Sequence, residues 1–162
     1  MKILVDADSC PVSVRETVLR AAARTGVRAV FAANRLIPGL GGGNVVMEIC
    51  PPGEDSADNR IASLAEPGDL AITRDIALAA RLVEGTITVI DDRGRVFDRE
   101  NIGQCLSLKD FMVSLAEYGL GGRGGGSYGK RELKAFADSF DRLLSRLIRE
   151  SPPIQGKGPG SV

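Results

Sequence analysis

Three short apolar runs in this chain end in aspartate, and that repetition narrows the folds open to it. Ile3-Leu4-Val5 leads into Asp6 and Asp8, Leu70-Ala71-Ile72 into Asp75, and Ile87-Thr88-Val89-Ile90 into Asp91 and Asp92. Runs of this length and composition read as buried strands of a parallel sheet. All carboxyl ends of such a sheet point to one edge, and ligands bind there. Acids from distant stretches of sequence then converge. Two carboxylates about 5 Å apart repel by roughly 3 kcal/mol at an effective dielectric near 20. Relief comes from a cation, a shared proton or solvent, and a divalent metal site is the expectation.

Strand and helix signals alternate along the chain. Lys2 to Ala7 reads as a strand, and Pro11 opens a helix over Val12 to Thr25 that stops at Gly26. Val27 to Ala33 is a second strand, ending at Asn34 and Arg35. Leu36 to Asn44, with Pro38 and four glycines, reads as a mobile loop. Val45 to Ile49 is a strand, Asp55 to Ala65 a helix capped by Asp55 or Ser56, Asp69 to Thr73 a strand, Ile76 to Glu84 a helix opened by Asp75, and Thr86 to Ile90 a strand. A turn follows at Asp92-Arg93-Gly94-Arg95. Leu106 to Tyr118 is helical, with Phe111, Leu115 and Tyr118 along one face. The alternation predicts an α/β fold, a three-layer α/β/α sandwich on a mostly parallel sheet. The core unit spans residues 1–118. Residues 119–129 hold seven glycines and form a linker or a phosphate-contacting loop. Residues 130–150 form an amphipathic helix whose apolar stripe packs on the domain or, in a homodimer, on a second subunit. Residues 151–162, rich in Pro, Gly and Ser, read as a disordered tail.

Composition limits the chemistry. The 162 residues include no histidine, which removes histidine-based nucleophilic catalysis, general bases and metal ligands. Cys10, Cys50 and Cys105 are too far apart for a CxxC zinc site and odd in number. With 21 basic and 21 acidic residues, no global field marks a nucleic-acid binder. Aromatics at 4% leave few side chains for base stacking. The chain enters a strand at once, without a signal peptide, and no apolar run approaches membrane-spanning length. A cytoplasmic protein is expected.

The acids have structural as well as chemical readings. Asp75 suits an N-cap, Asp58 the acid of a first helical turn, Asp8 a cap for the helix at Pro11, and Asp91 with Asp92 a turn. Asp6 ends an apolar strand before any helix begins and is hardest to explain structurally. A cap and a metal ligand are compatible roles. Cys10 reads as a buried thiol or, less simply, a nucleophile activated by the following helix. Thr73 offers a hydroxyl at the same edge, and Arg35, Arg74, Arg93 and Arg95 offer phosphate contacts or plain solvated charge.

Several ordered motifs resemble the YaiI/YqxD family of uncharacterised bacterial proteins. They are Val5-Asp6-Ala7-Asp8-Ser9-Cys10-Pro11, Ala32-Ala33-Asn34, Ala57-Asp58-Asn59, Pro67-Gly68-Asp69-Leu70 through Ile72-Thr73-Arg74-Asp75-Ile76 to Leu78-Ala79-Ala80, Arg93-Gly94, and Leu108-Lys109-Asp110-Phe111-Met112. The resemblance runs from Lys2 to about Glu150. It implies a PIN-like, nuclease-type architecture with metal-holding acids, and it matches Asp6, Asp8, Asp58, Asp75, Asn34 and Thr73 to family motifs. Ser9 and Ala77 depart from the pattern, as does Gly121-Gly122-Arg123-Gly124 in place of a Thr-Gly-Gly-Pro loop.

Three functions follow as expectations. The first is a metal-dependent phosphodiesterase, specifically a ribonuclease on single-stranded RNA. Asp6, Asp58 and Asp75 hold Mg²⁺ or Mn²⁺, Asp8 adds a ligand or orients water, and Asn34, Arg35, Thr73, Arg74, Arg93, Arg123 and Lys130 contact substrate. The second is a non-catalytic PIN-like module that binds RNA or protein. The third is a phosphatase with an aspartyl nucleophile, prompted by Asp6-Ala7-Asp8; its second acid, Asp69, falls at the start of a strand, far from the carboxyl edge.

Overall fold

The computed structural model describes residues 1–122 and 126–152. Six strands form one sheet: β1 (Lys2–Asp6), β2 (Arg28–Ala33), β3 (Val45–Ile49), β4 (Leu70–Ile72), β5 (Thr88–Ile90) and β6 (Val96–Phe97). Their order is β3-β2-β1-β4-β5-β6. β1 to β5 are parallel, and β6 returns antiparallel to β5. The helices are α1 (Val12–Thr25), α2 (Ser56–Leu64), α3 (Ile76–Glu84), α4 (Ile102–Glu117) and α5 (Lys130–Glu150).

Period-two alternation in the strands builds two cores. Ile3, Val5 and Phe31 face α1 and α5, while Leu4 and Val30 face α2, α3 and the start of α4. The result is the expected three-layer sandwich. The α5 stripe of Phe136, Phe140, Leu143, Leu144 and Leu147 is spent on the chain's own core, with Phe136 and Phe140 stacked at 5.2 Å. Burying one such side chain is worth roughly 1.5–3 kcal/mol. Gly94 lets the β5–β6 turn lie on this helix: its φ is +87°, and a Cβ there would overlap the Ala135 carbonyl.

Several elements differ from expectation. β6 is two residues long, too short for any periodic signal, so the turn at Asp91–Gly94 belongs to a hairpin. α4 starts at Ile102 rather than Leu106. Asp98 Oδ1 accepts from the backbone N–H of Glu100 and Asn101, an Asx turn that launches the helix ahead of Gly103. The stretch 36–44 is irregular, as the loop reading has it, and forms the β2–β3 crossover. It is anchored by Ile37, which is buried, and by Asn44, whose amide donates to Ala22 O and Val27 O. Among the described residues no helix is long and apolar enough to cross a membrane. Residues 123–125 of the glycine-rich stretch, Arg123 included, and 153–162 of the expected tail lie outside the described residues.

Strand order positions the site. From β1 the chain passes to β2 and β3 on one side, then returns through α2 to β4 on the other. Between the carboxyl ends of β1 and β4 lies the topological switch point, where α/β sheets open a crevice.

Candidate functional site

An open cleft of about 360 Å³ occupies that crevice. Asp6, Asp8, Ser9, Asn34, Asp55, Ala57, Asp58, Arg74 and Asp75 line it, five aspartates against one arginine. A larger groove, about 680 Å³, runs between α1 and α5, where Arg20, Arg24 and Arg142 stand against Asp138 and Asp141, with Arg24 and Asp141 paired at 2.8 Å. The imbalance of charge is in the smaller cleft.

Thr73 joins the two strand ends. Its buried hydroxyl donates to Asp6 Oδ2 at 3.1 Å and accepts from the Asp75 backbone N–H at 3.0 Å. Asp6 also accepts from Ser9 Oγ at 3.3 Å. Burial raises the Asp6 pKa; these two hydrogen bonds oppose the rise, and the charges of Asp8 and Asp75 add to it. Asp75 caps α3 through Oδ1 to the Leu78 N–H at 3.0 Å, and Lys109 stands 4.0 Å from the same oxygen. The cap and the cleft position coexist in one side chain.

Asp8 is not a helix cap. Its Oδ2 accepts from the Asn34 backbone N–H at 2.8 Å, tying the β1 loop to the end of β2, and Arg35 stands 3.8 Å from Oδ1. Asn34 meets Ser56, whose single hydroxyl proton lies within reach of Asn34 Oδ1 (2.7 Å) and Pro51 O (2.6 Å), so it serves one at a time.

Asp58 projects from the first turn of α2. Its pKa is pushed up to about 6, by burial first and then by Asp6, Asp75 and Asp55, with Arg81 opposing. Asp55 precedes α2 in a left-handed conformation (φ 61°) and makes no side-chain cap bond. It turns into the cleft instead. In sequence Asp55 reads chiefly as a cap; its spacing three residues before Asp58, about one helical turn, is the signal that points to the cleft. Ser9 was missed as a donor to Asp6 for want of any sequence signal beyond proximity.

The remaining candidates separate. Arg74 lines the cleft, with its Nε 3.4 Å from Asp92 Oδ2, and Arg35 sits at the rim. Asp92 is buried behind Arg74, and Oδ2 has no aligned hydrogen-bond donor despite that ion pair. Burial raises its pKa and Arg74 opposes the rise. Asp91 serves the turn, accepting from the N–H groups of Arg93 and Arg95, each at 2.9 Å. Arg93, expected at the substrate, instead contacts Gly126 O, Glu132 and the Tyr128 ring, drawn there by the turn's seat on α5. Arg95 donates to Cys105 Sγ. Lys130 is exposed at the start of α5 and is not among the cleft residues. Cys10 is buried, and desolvation pushes its thiol up to about 12, so it stays protonated and inert at neutral pH. Asp69 sits at the amino edge, paired with Lys2 at 2.7 Å.

Among the described residues no three acids or thiols stand close enough together to hold an ion by themselves. Their charges still act on one another: Asp8 and Asp75 raise the Asp6 pKa, and Asp6, Asp75 and Asp55 raise that of Asp58, after burial in each case.

Comparison with known proteins adds the family. The model described as uncharacterized BCR, YaiI/YqxD family, matches residues 4–146. The chain is similar to the UPF0178 protein of Treponema pallidum (strain Nichols), 45% identical over 149 residues, covering 92% of this chain and 84% of that one. It is 44% identical to the UPF0178 protein of Myxococcus xanthus over 154 residues, covering 94% and 99%. The UPF0178 protein of Treponema denticola is 43% identical over 150 residues, covering 93% and 96%. No solved structure matches the chain.

Proposed function

The chain belongs to the YaiI/YqxD family, and from that membership and the cleft's electrostatics we propose a cation-dependent phosphodiesterase, specifically a ribonuclease acting on single-stranded RNA. One observation supports the reading above the others. Burial first, and then the charges of the neighbouring cleft acids, raise the pKa of Asp58 and Asp6 above the ordinary carboxylate value at a switch-point crevice. Any cation that relieves this repulsion gains the energy that the protons otherwise supply.

The donor set fits such a cation. It is oxygen only, with carboxylates and the Ser9 and Thr73 hydroxyls, and the chain has no histidine. That chemistry suits Mg²⁺ or Mn²⁺, with Asp6, Asp58 and Asp75 as its holders, directly or through water. The loose spacing of the acids suits an ion that keeps much of its water and meets one or two carboxylates directly. Bound there, the ion would polarise a phosphoryl oxygen and acidify a water.

The chain's own residues have separable tasks. Thr73 holds the Asp6 carboxylate and the Asp75 backbone in register across the crevice. Asp8, fixed by the Asn34 N–H, presents its other oxygen toward Arg35 and the cleft for orienting water. Arg74 and Arg35 supply positive charge for phosphate oxygens. RNA as substrate, and the PIN-like comparison, rest on family resemblance. Three free, buried thiols suit the reducing cytoplasm.

Thermal unfolding in EDTA, Mg²⁺ or Mn²⁺, beside Asp6→Asn and Asp75→Asn, tests the reading. A ligand at one hundred times its dissociation constant adds about 2.7 kcal/mol, several degrees for this size. The expected result is a rise in wild type that both variants lose, followed by metal-dependent cleavage of RNA. No rise at millimolar metal would sink the proposal in favour of a non-catalytic module.

A further inference from the structure

Helix α4 presents its apolar side chains to water. Leu108, Phe111, Met112 and Val113 are 43% to 58% exposed, and Tyr118 and Leu120, just past the helix end, are 81% and 71% exposed; Cys105 is its one buried residue. A solvated helix face normally carries the charge. Here Lys109 turns back toward Asp75, 4.0 Å away. The outward sector has none: Gln104, Leu108, Phe111, Leu115 and Tyr118 follow one another at intervals of four, three, four and three. That is the spacing of a helix–helix seam. By contrast, α5 puts its apolar stripe into the core and its charges outside.

We infer that α4 is the seam on which a second copy of this chain docks, two α4 helices packing antiparallel about a two-fold axis between Phe111 and Met112. In that register Leu108 lies against the partner's Leu115. Two arguments select a second copy. A two-fold interface must be complementary to itself, and a face without charge meets its own image without repulsion. Its size also fits. The exposed side chains on or beside the seam, Leu108, Phe111, Met112, Tyr118 and Leu120, open on the order of 600 Å², taking about 150–250 Å² for a fully open aromatic. That is the top of the range for a monomer's largest patch, about 300–600 Å², and with the half-buried Leu115 and the neighbouring backbone it approaches the roughly 800 Å² of one side of a standard interface.

Sedimentation velocity of the full chain, over micromolar and higher concentrations, should give a dimer. Phe111→Glu places two charges at the axis and should weaken it by roughly 100-fold or more, with the far-ultraviolet dichroism of wild type. Met112→Cys should form a covalent dimer on mild oxidation, because the three native thiols are buried. A wild-type monomer, a dimer that Phe111→Glu leaves intact, or a Met112→Cys chain that does not cross-link would each overturn the inference. If Phe111→Glu proves insoluble, the cross-link decides alone.

Discussion

Both edges of the sheet hold buried aspartates, and the chain treats them differently. At the amino edge Asp69, 2% exposed, accepts from the Lys2 N–H at 2.8 Å and the Glu66 N–H at 2.9 Å, and pairs with Lys2 Nζ at 2.7 Å. At the carboxyl edge Asp6, 8% exposed, has only two hydroxyl donors and faces Asp8 and Asp75. Strand β1 spans the two situations, starting at Lys2 and ending at Asp6. A buried carboxylate is tolerable when its counter-charge is built in. Where the chain supplies none, burial favours the protonated carboxyl, as the raised pKa of Asp6 shows.

The largest effect should come from breaking the amino-edge pair. Asp69→Ala leaves the Lys2 and Glu66 backbone N–H groups unpaired and Lys2 Nζ with Glu66 alone, and should cost about 3 kcal/mol in urea unfolding; a loss under 1 kcal/mol would make the pair a surface detail. Next in size is the response expected of the proposed cation at the other edge, about 2.7 kcal/mol at one hundred times its dissociation constant. If Asp69→Ala abolished the cation response while Asp6→Asn kept it, the two edges would have exchanged roles.

Proton linkage gives a smaller, oppositely signed test. The folded pKa of Asp58, about 6, exceeds its ordinary 3.8, so its contribution is fully present below 3.8 and lost as pH rises through about 6. The shift corresponds to about 3 kcal/mol if fully felt, and the side chain's partial exposure reduces this to roughly 1 kcal/mol. Metal-free Asp58→Asn should therefore be the more stable protein at pH 8, by roughly 1 kcal/mol, with a flatter profile between pH 4 and 7. Saturating cation should reverse the ranking. Smallest is the cap of α3: Asp75→Ala should lose about 1 kcal/mol and Asp75→Asn a few tenths, since asparagine caps equally well. Equal losses in chemical unfolding would mean that the charge, rather than the cap, dominates at Asp75.

The helices repeat the lesson in apolar form. The period of α5 is written in its residues, and its bounds and buried stripe follow from them. In α4 the face of Phe111, Leu115 and Tyr118 is equally legible, yet Phe111 and Tyr118 point to water, since packing on α3 uses only the start of the helix. Asp6, Asp8, Asp58 and Asp75 could be picked out as strand-end or first-turn acids, and all four line one cleft. Arg93 could not be placed from sequence, because its direction depends on the turn's contact with α5.

Local chemistry, read from sequence alone, determined the alternation of strands and helices, the parallel sheet and the strand-end aspartates. Each depends on neighbours two to four residues apart, a range over which periodicity and caps act. Only the tertiary structure decided strand order, and with it the crevice between β1 and β4. It also decided that Lys2 neutralises Asp69 across 67 residues, that Thr73 links Asp6 to Asp75, and that Asp55 turns into the cleft. Coulomb energy and burial depend on distance in space, and a sequence carries that distance only once the chain has folded.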